Sequence, residues 1–206
     1  MRTRMRLKGT EASWRAKIAA SAAASSFSCL ASMAAAKVSH ARAAAHLPGA
    51  KSIVEYWENL RDGIESIRHL SEEDLVAAGE TPDRLCHRDY VPAAAPLDGF
   101  EMFDGEFFGF GPKESAILDP QHRQFMEVAW EALENAGHMP ERFEGPIGVF
   151  AGCGMGSYFY FNICSNPDLV ESTGMFLLRH TGNDKDFLAT RVSHVLDLKG
   201  PSINLQ

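Results

Sequence analysis

Apolar positions follow a helical period in three places along the chain, and each run is bounded by residues that start or stop helices. After Ser52, with Glu55 three positions on, Ile53, Val54, Trp57 and Leu60 recur at i, i+3 and i+4 spacing until Asp62-Gly63. This predicts a short amphipathic helix with a capping box at one end and a glycine stop at the other. Ser71, Asp74 and Gly79 repeat the start and stop signals and predict a second helix over 71–78. The strongest run opens with Asp119 as N-cap and Pro120 in the first helical position and closes at Gly137, with Phe125, Ala129, Leu133 and Ala136 on one stripe widened by Met126 and Trp130. So broad an apolar face requires a sheet or other helices against it.

Between these runs the pattern changes. Residues 80–99 hold Pro82, Pro92 and Pro96 with little periodicity and read as a surface loop. Phe100, Phe103, Phe107, Phe108 and Phe110, punctuated by Gly105, Gly109 and Gly111, could form a binding surface. Aromatic burial favours the other reading, a loop anchored into the core. The run 146–151, with Ile147, Val149 and Phe150, suits a buried strand. Near the end, Asn183 or Asp184 caps a helix with Leu188, Val192, Val195 and Leu196 on one face, Lys199-Gly200-Pro201 stops it, and a strand is expected over 202–205.

The composition is that of a globular chain long enough to bury a sizeable core, 206 residues with 45% hydrophobic and 23% charged content. Its charge is uneven. Of 20 basic and 27 acidic residues, eight basic and one acidic fall in 1–45, so 46–206 carry 12 and 26, a net charge of −14. An acidic body argues against a nucleic-acid partner. The first 45 residues are Ala/Ser-rich and basic, with small residues at Ala41-Arg42-Ala43. They have the outline of a targeting peptide, but an apolar stretch made mostly of Ala and Ser favours a disordered or irregular leader, and they stand outside the fold argument. No run reaches the roughly 18 apolar residues of a membrane helix, so a membrane partner is not expected.

Candidate chemistry is sparse. Cys29, Cys86, Cys153 and Cys164 form no CxxC pair and no repeated Cys/His spacing, which points to reduced thiols, a cytoplasmic setting and no metal centre. Gly152-Cys153-Gly154-Met155-Gly156-Ser157 follows the expected strand like a phosphate-binding turn. The GxGxxG pattern fails at Ser157, and Tyr158-Phe159-Tyr160-Phe161 is no amphipathic helix start, so no nucleotide cofactor is expected. Cys153 would need an activating histidine or helix N-terminus to be a nucleophile. Nothing in the order of residues supplies one, and a small buried thiol at a strand end is the expectation.

Taken in order, five stretches resemble one family. Phe103-Asp104-Gly105-Glu106-Phe107-Phe108-Gly109-Phe110-Gly111-Pro112-Lys113-Glu114 is similar to FDxxFFGxSPxE, Leu118-Asp119-Pro120-Gln121-His122-Arg123 to MDPQxR, and Trp130-Glu131-Ala132-Leu133-Glu134-Asn135-Ala136-Gly137 to WEALExAG. Gly148-Val149-Phe150-Ala151-Gly152 is similar to GVFxG, and Ala189-Thr190-Arg191-Val192-Ser193-His194 with Leu198-Lys199-Gly200-Pro201-Ser202 to AxRxSYxLxLxGPS. Over about 44–206 the chain thus resembles the front part of a β-ketoacyl synthase (ketosynthase) of modular polyketide synthases. The resemblance implies an α/β chain forming the N-terminal half of the thiolase-like α/β/α/β/α layered fold, with 1–45 as leader and 46–206 as ketosynthase region. It also implies decarboxylative Claisen condensation of acyl and malonyl-type thioesters. The acyl carrier protein presents both on its phosphopantetheine arm, and the enzyme is a homodimer.

The family's nucleophilic cysteine sits in a T-A-C-S motif after the strand that follows Gly200-Pro201-Ser202, and its two catalytic histidines lie further on. Gln206 precedes that motif, so no catalytic, cofactor-binding or metal-binding residue is carried over to this chain. Lys37 to Arg42 stand where the family has its first apolar strand. The expectation is a ketosynthase fragment inactive alone, pairing with the ketosynthase remainder. The alternative is a non-catalytic partner of an intact ketosynthase or carrier protein.

Overall fold

The computed structural model describes residues 43–205 together with the two-residue backbone strand Thr3–Arg4. The expectations for the rest of the leader lie outside the described residues. Strand β1 (Thr3–Arg4) pairs antiparallel with a later strand, Met102–Phe103. Helix α1 spans Ile53–Asp62, with the Ser52 hydroxyl accepting from the Glu55 amide and Gly63 closing it in the left-handed region at φ 67°. Strand β2 (Arg68–His69), helix α2 (Glu72–Ala77, N-capped by Ser71), helix α3 (Pro82–Leu85) and strand β3 (Ala93–Ala94) follow. The expected surface loop over 80–99 therefore contains a helical turn that starts on Pro82 and a strand pairing with β2. A proline at the first helical position starts the turn whether or not apolar periodicity follows it.

Strand β4 (Met102–Phe103) leads into the phenylalanine run. Phe103 is fully buried and stacks on Phe108 at 5.4 Å between ring centroids, and Phe107 meets Trp130 edge-on at 5.0 Å. The run anchors its loop as expected, although Phe107 itself stays more than half exposed. Helix α4 (Pro112–Ile117) and helix α5 (Pro120–Ala136) come next. The long helix starts and stops on the residues the sequence marked, Asp119 and Gly137, and the latter has φ 71°.

Strand β5 (Val149–Ala151) occupies the end of the predicted 146–151 strand. Beyond it the structure adds three helical elements that the periodicity did not announce, a π-helical turn at Phe159–Ile163, helix α6 (Pro167–Thr173) and helix α7 (Met175–Gly182). A 3-10 turn (Lys185–Phe187) joins helix α8 (Leu188–Val195), and strand β6 (Ser202–Asn204) pairs with β5 in parallel, Phe150 opposite Ile203.

The main core lies where α5 and α8 cover one face of the β5–β6 pair. Phe125, Met126, Ala129 and Leu133 from α5, Leu188, Ala189 and Val192 from α8, and Val149 and Ala151 from β5 form one buried cluster with Phe103, Leu118 and Leu196. This helix-on-sheet layer is the α/β element of the expected layered fold. A second cluster joins Tyr158, Phe159, Ile163 and Leu178 beneath α7. Ala44 and Ala45 are buried, and Ala44 packs with Val128 and Ala132 of α5.

Candidate functional site

The first turn of α5 points inward and buries a polar cluster. Asp119, His122 and Arg123 are each about fully buried, at 2%, 1% and 1% exposure. The Asp119 carboxylate accepts from the Gln121 amide at 2.8 Å, and the Asp119 amide donates to the Gly182 carbonyl at 2.8 Å, tying the helix start to the end of α7. Burial pushes the Asp119 carboxyl up to about 6, against the opposing pull of the Gln121 amide and the Arg123 charge. Arg123 donates through Nε to the Leu118 carbonyl at 2.8 Å, and its guanidinium lies over the Tyr158 ring at 5.6 Å from the centroid. Tyr158 in turn donates to the Ala116 carbonyl at 2.7 Å. Asn183 donates to the carbonyls of Ile117 and Leu178, at 2.9 and 2.7 Å.

The turn after β5 lies against this helix start. Gly154 donates its amide to Gln121 Oε1 at 2.9 Å, and Cys153 Sγ sits 4.0 Å from His122 Nε2. No local pattern in the sequence signals that histidine, which lies 31 positions away. Two residues so far apart meet because β5 ends beside the N-terminus of the helix that covers it.

The pair is electrostatically quiet. Burial, then the charge of Asp119, raises the Cys153 thiol to about 11, with Lys185 opposing. Burial and then the charge of Arg191 lower His122 to about 3, with Asp184 opposing. At neutral pH the partners are thiol and neutral imidazole, the opposite of the thiolate–imidazolium state a cysteine nucleophile uses. The thiol, expected from the sequence to be buried, is only half-buried, and its surroundings leave it unactivated.

Gly152 and Gly156 serve packing. A Cβ on Gly152 would stand 2.6 Å from the Leu205 carbonyl oxygen, so a larger residue would drive β5 and the end of β6 apart. Contrary to the expectation from sequence, Ser157 and Tyr158 do begin a helical turn, which continues as the π-helix Phe159–Ile163. Its periodicity is masked because four aromatics in a row fill both faces. The Ser157 amide donates to the Met155 carbonyl at 2.7 Å and the Tyr160 amide to the Gly156 carbonyl, so these donors are spent on the turn itself rather than turned toward an anion.

A third set of contacts fixes β6 on α8. The Ser202 hydroxyl donates to Ser193 Oγ at 2.6 Å, Asn204 Oδ1 accepts from the Ala189 amide at 2.9 Å, and Asn204 Nδ2 donates to the Asp186 carbonyl. Sequence reasoning missed Asn204, and its signal was slight, one of two polar residues flanking Ile203 in a three-residue strand. Among the described residues no group of three or more His, Cys, Asp or Glu is placed to hold a metal ion. No helix among them is long and apolar enough to cross a membrane.

Residues 43–206 match the family model described as "Beta-ketoacyl synthase, N-terminal domain". The chain is 46% identical over 168 residues to a phenolphthiocerol/phthiocerol polyketide synthase of Mycobacterium tuberculosis, covering 79% of this chain and 11% of that one. It is 34% identical over 166 residues to an erythronolide synthase of Saccharopolyspora erythraea, covering 78% and 5%. Among solved structures it resembles ketosynthase twelve of the bacillaene polyketide synthase in Bacillus amyloliquefaciens, with TM-score 0.66 and 35% identity over 78% of this chain and 28% of that one. An oxazolomycin ketosynthase domain from Streptomyces albus gives TM-score 0.61 at 29% identity, covering 78% and 28%. The chain thus spans a small share of the polyketide synthases it matches and under a third of the ketosynthase structures. With its motif-bearing segments folded onto one α5–β5–α8–β6 core, the chain belongs to the β-ketoacyl synthase family, as the N-terminal part of a thiolase-like ketosynthase of the modular polyketide synthase type.

Proposed function

We propose that this chain supplies the framework of a ketosynthase that condenses acyl and malonyl-type thioesters carried on an acyl carrier protein, and that its own residues perform no chemical step. The observation carrying this reading is the state of Cys153. This thiol is raised to about 11 beside a neutral His122, so it offers no thiolate for acyl transfer. The framework role is supported by Asn204 and Ser202, which pin β6 to α8. In the family, that strand leads to the nucleophile. The bare face of the β5–β6 pair, with Phe150 and Ile203 exposed side by side, supports pairing with the rest of a ketosynthase.

The test is a condensation assay with acyl and malonyl carrier-protein substrates. The 206-residue chain is expected to give no β-ketoacyl product above a no-enzyme control, since loss of a covalent catalyst costs several orders of magnitude in rate. Product formation, or a stable acyl adduct on Cys153 seen by intact-mass spectrometry, would overturn the reading.

A further inference from the structure

Where the family-matched segment begins, the His46 imidazole is held between two polar side chains of α5. Ala44 and Ala45 before it are buried, and Ala44 packs against Val128 and Ala132, so the backbone carrying the ring is seated on the helix. Ring Nδ1 stands 2.6 Å from Gln124 Oε1, and Nε2 stands 3.4 Å from Glu131 Oε1. Gln124, Glu127 and Glu131 follow one another at helical spacing and share one stripe of α5. Among the described residues His46 is the partner of Glu131.

Hydrogen-bond direction decides what the ring can do. Gln124 Nε2 donates to Glu127 Oε2 at 3.3 Å, which turns the amide so that its acceptor, Oε1, faces the imidazole. Nδ1 therefore carries the proton and donates to Gln124. A neutral ring that donates there keeps only a lone pair at Nε2, and this lone pair faces a carboxylate oxygen. Two electron-rich atoms so placed call for a cation between them. A histidine that ligates a metal through one nitrogen donates its other N–H to a carbonyl or carboxylate, the part Gln124 plays here. Two ligand atoms each about 2.1 Å from a tetrahedral metal lie about 3.4 Å apart, which is the separation of His46 Nε2 and Glu131 Oε1.

We propose that His46 Nε2 and Glu131 form a two-residue site for a zinc-like divalent cation, with water completing the coordination shell and Gln124 orienting the ring. One imidazole nitrogen with one carboxylate oxygen suits zinc and its borderline neighbours, whereas calcium and magnesium take oxygen ligands. The two side chains are 21% and 42% exposed, open enough for an ion to enter with its waters. Bound there, the ion ties the first residues of the family-matched segment to α5, independently of the framework reading above. The other histidine–carboxylate pair, His87 and Asp89, lacks this arrangement. Its Nδ1 is 3.9 Å from the carboxylate and already accepts the Asp89 amide at 3.3 Å, and both side chains are exposed.

The experiment titrates the untagged 206-residue chain, its accessible thiols alkylated beforehand, with zinc at sub-micromolar protein concentration and neutral pH. Native mass spectrometry counts the bound ions, and competition against a fluorescent chelator gives the affinity. One zinc per chain is expected, with a rise in Tm on binding. His46→Gln and Glu131→Gln are each expected to weaken binding about tenfold or more, and Gln124→Leu, which frees the ring, about tenfold. His87→Gln is expected to bind as the wild type does. Unaltered circular dichroism establishes that the variants fold. A second measurement needs no variant, since bound zinc should protect His46 of the wild-type chain from carbethoxylation by diethyl pyrocarbonate while His87 stays reactive, as read by peptide mass spectrometry. Absence of saturable uptake by the wild-type chain overturns the site. So does uptake that His46→Gln and Glu131→Gln retain, or zinc that protects His46 no better than His87.

Discussion

Asp119 and His122 sit three residues apart in one buried turn and titrate in opposite senses. The Asp119 carboxyl is raised from 3.8 to about 6, so the folded state binds its proton more tightly than the unfolded state does, and stability from this group falls as pH rises through that window. His122 is lowered from 6.5 to about 3, so the unfolded chain takes up the proton first, and stability falls as pH drops below 6.5. Between about 4 and 6 the two slopes oppose each other. Asp119→Asn keeps an N-cap acceptor while removing one slope, and the variant should therefore lose stability on acidification more steeply than the wild type, by about 1 kcal/mol per pH unit. Thermal unfolding followed by tryptophan fluorescence at sub-micromolar concentration from mildly acidic to neutral pH reads this directly, and parallel curves for the two proteins would contradict it. A second residue-scale expectation concerns thiols. Exposed Cys86 should alkylate readily near neutral pH, whereas Cys153 should react slowly until the pH approaches 11. Mass-spectrometric rates for the two peptides decide it. Cys153 was legible as an unactivated thiol from its place at a strand end, but its histidine neighbour was not, because only the tertiary approach of β5 to α5 joins His122 to Cys153.

At the scale of elements, local signals and tertiary ones divide sharply. Helices α1, α2 and α5 carried their caps in the sequence, Ser52, Ser71 and Asp119 at the front and Gly63 and Gly137 behind, and those residues perform the expected hydrogen bonds and turns. The π-turn at Phe159–Ile163 and helix α7 were not readable, because consecutive aromatic and aliphatic side chains erase the apolar stripe from which period is judged. The β5–β6 pair shows what a single glycine controls between elements. Gly200 donates its amide to the Ile147 carbonyl at 2.8 Å, and the Val149 amide donates to the Pro201 carbonyl at 2.8 Å. A Cβ on Gly200 would collide with the backbone of Ile147 and Gly148, neither of which can rotate away. Gly200→Ala should therefore cost about 3 kcal/mol by forcing the strands apart, seen as a fall in Tm of roughly 5 °C or more. Gly109→Ala meets no atom and bears only the strain of φ +77°. It should cost about 1 kcal/mol, and a Gly200→Ala variant no less stable than Gly109→Ala would show that the strand pair tolerates separation.

Across the whole molecule, apolar surface is distributed as in an element of a larger assembly. One face of the parallel β5–β6 pair is covered by α5 and α8, while on the other Phe150 is 60% and Ile203 44% exposed, directly opposite each other in register. Parallel sheets persist where both faces are covered, so this pair is under-dressed. Phe176 and Leu177 on α7 are 71% and 52% exposed, and the α1 stripe makes a third apolar surface. Among the described residues each strand of the pair also has an unpaired edge, the arrangement that recruits other chains. The isolated chain should accordingly associate at micromolar concentration, or stay dispersed only when co-expressed with ketosynthase polypeptide that covers these faces. Size-exclusion chromatography with light scattering is the measurement. Species well above the monomer mass of 22.6 kDa, diminished by Phe150→Glu, are expected. A monodisperse monomer with a cooperative thermal transition would mean that the bare faces repack against one another in solution, and that the chain is self-sufficient in a way its relatives' architecture does not foretell.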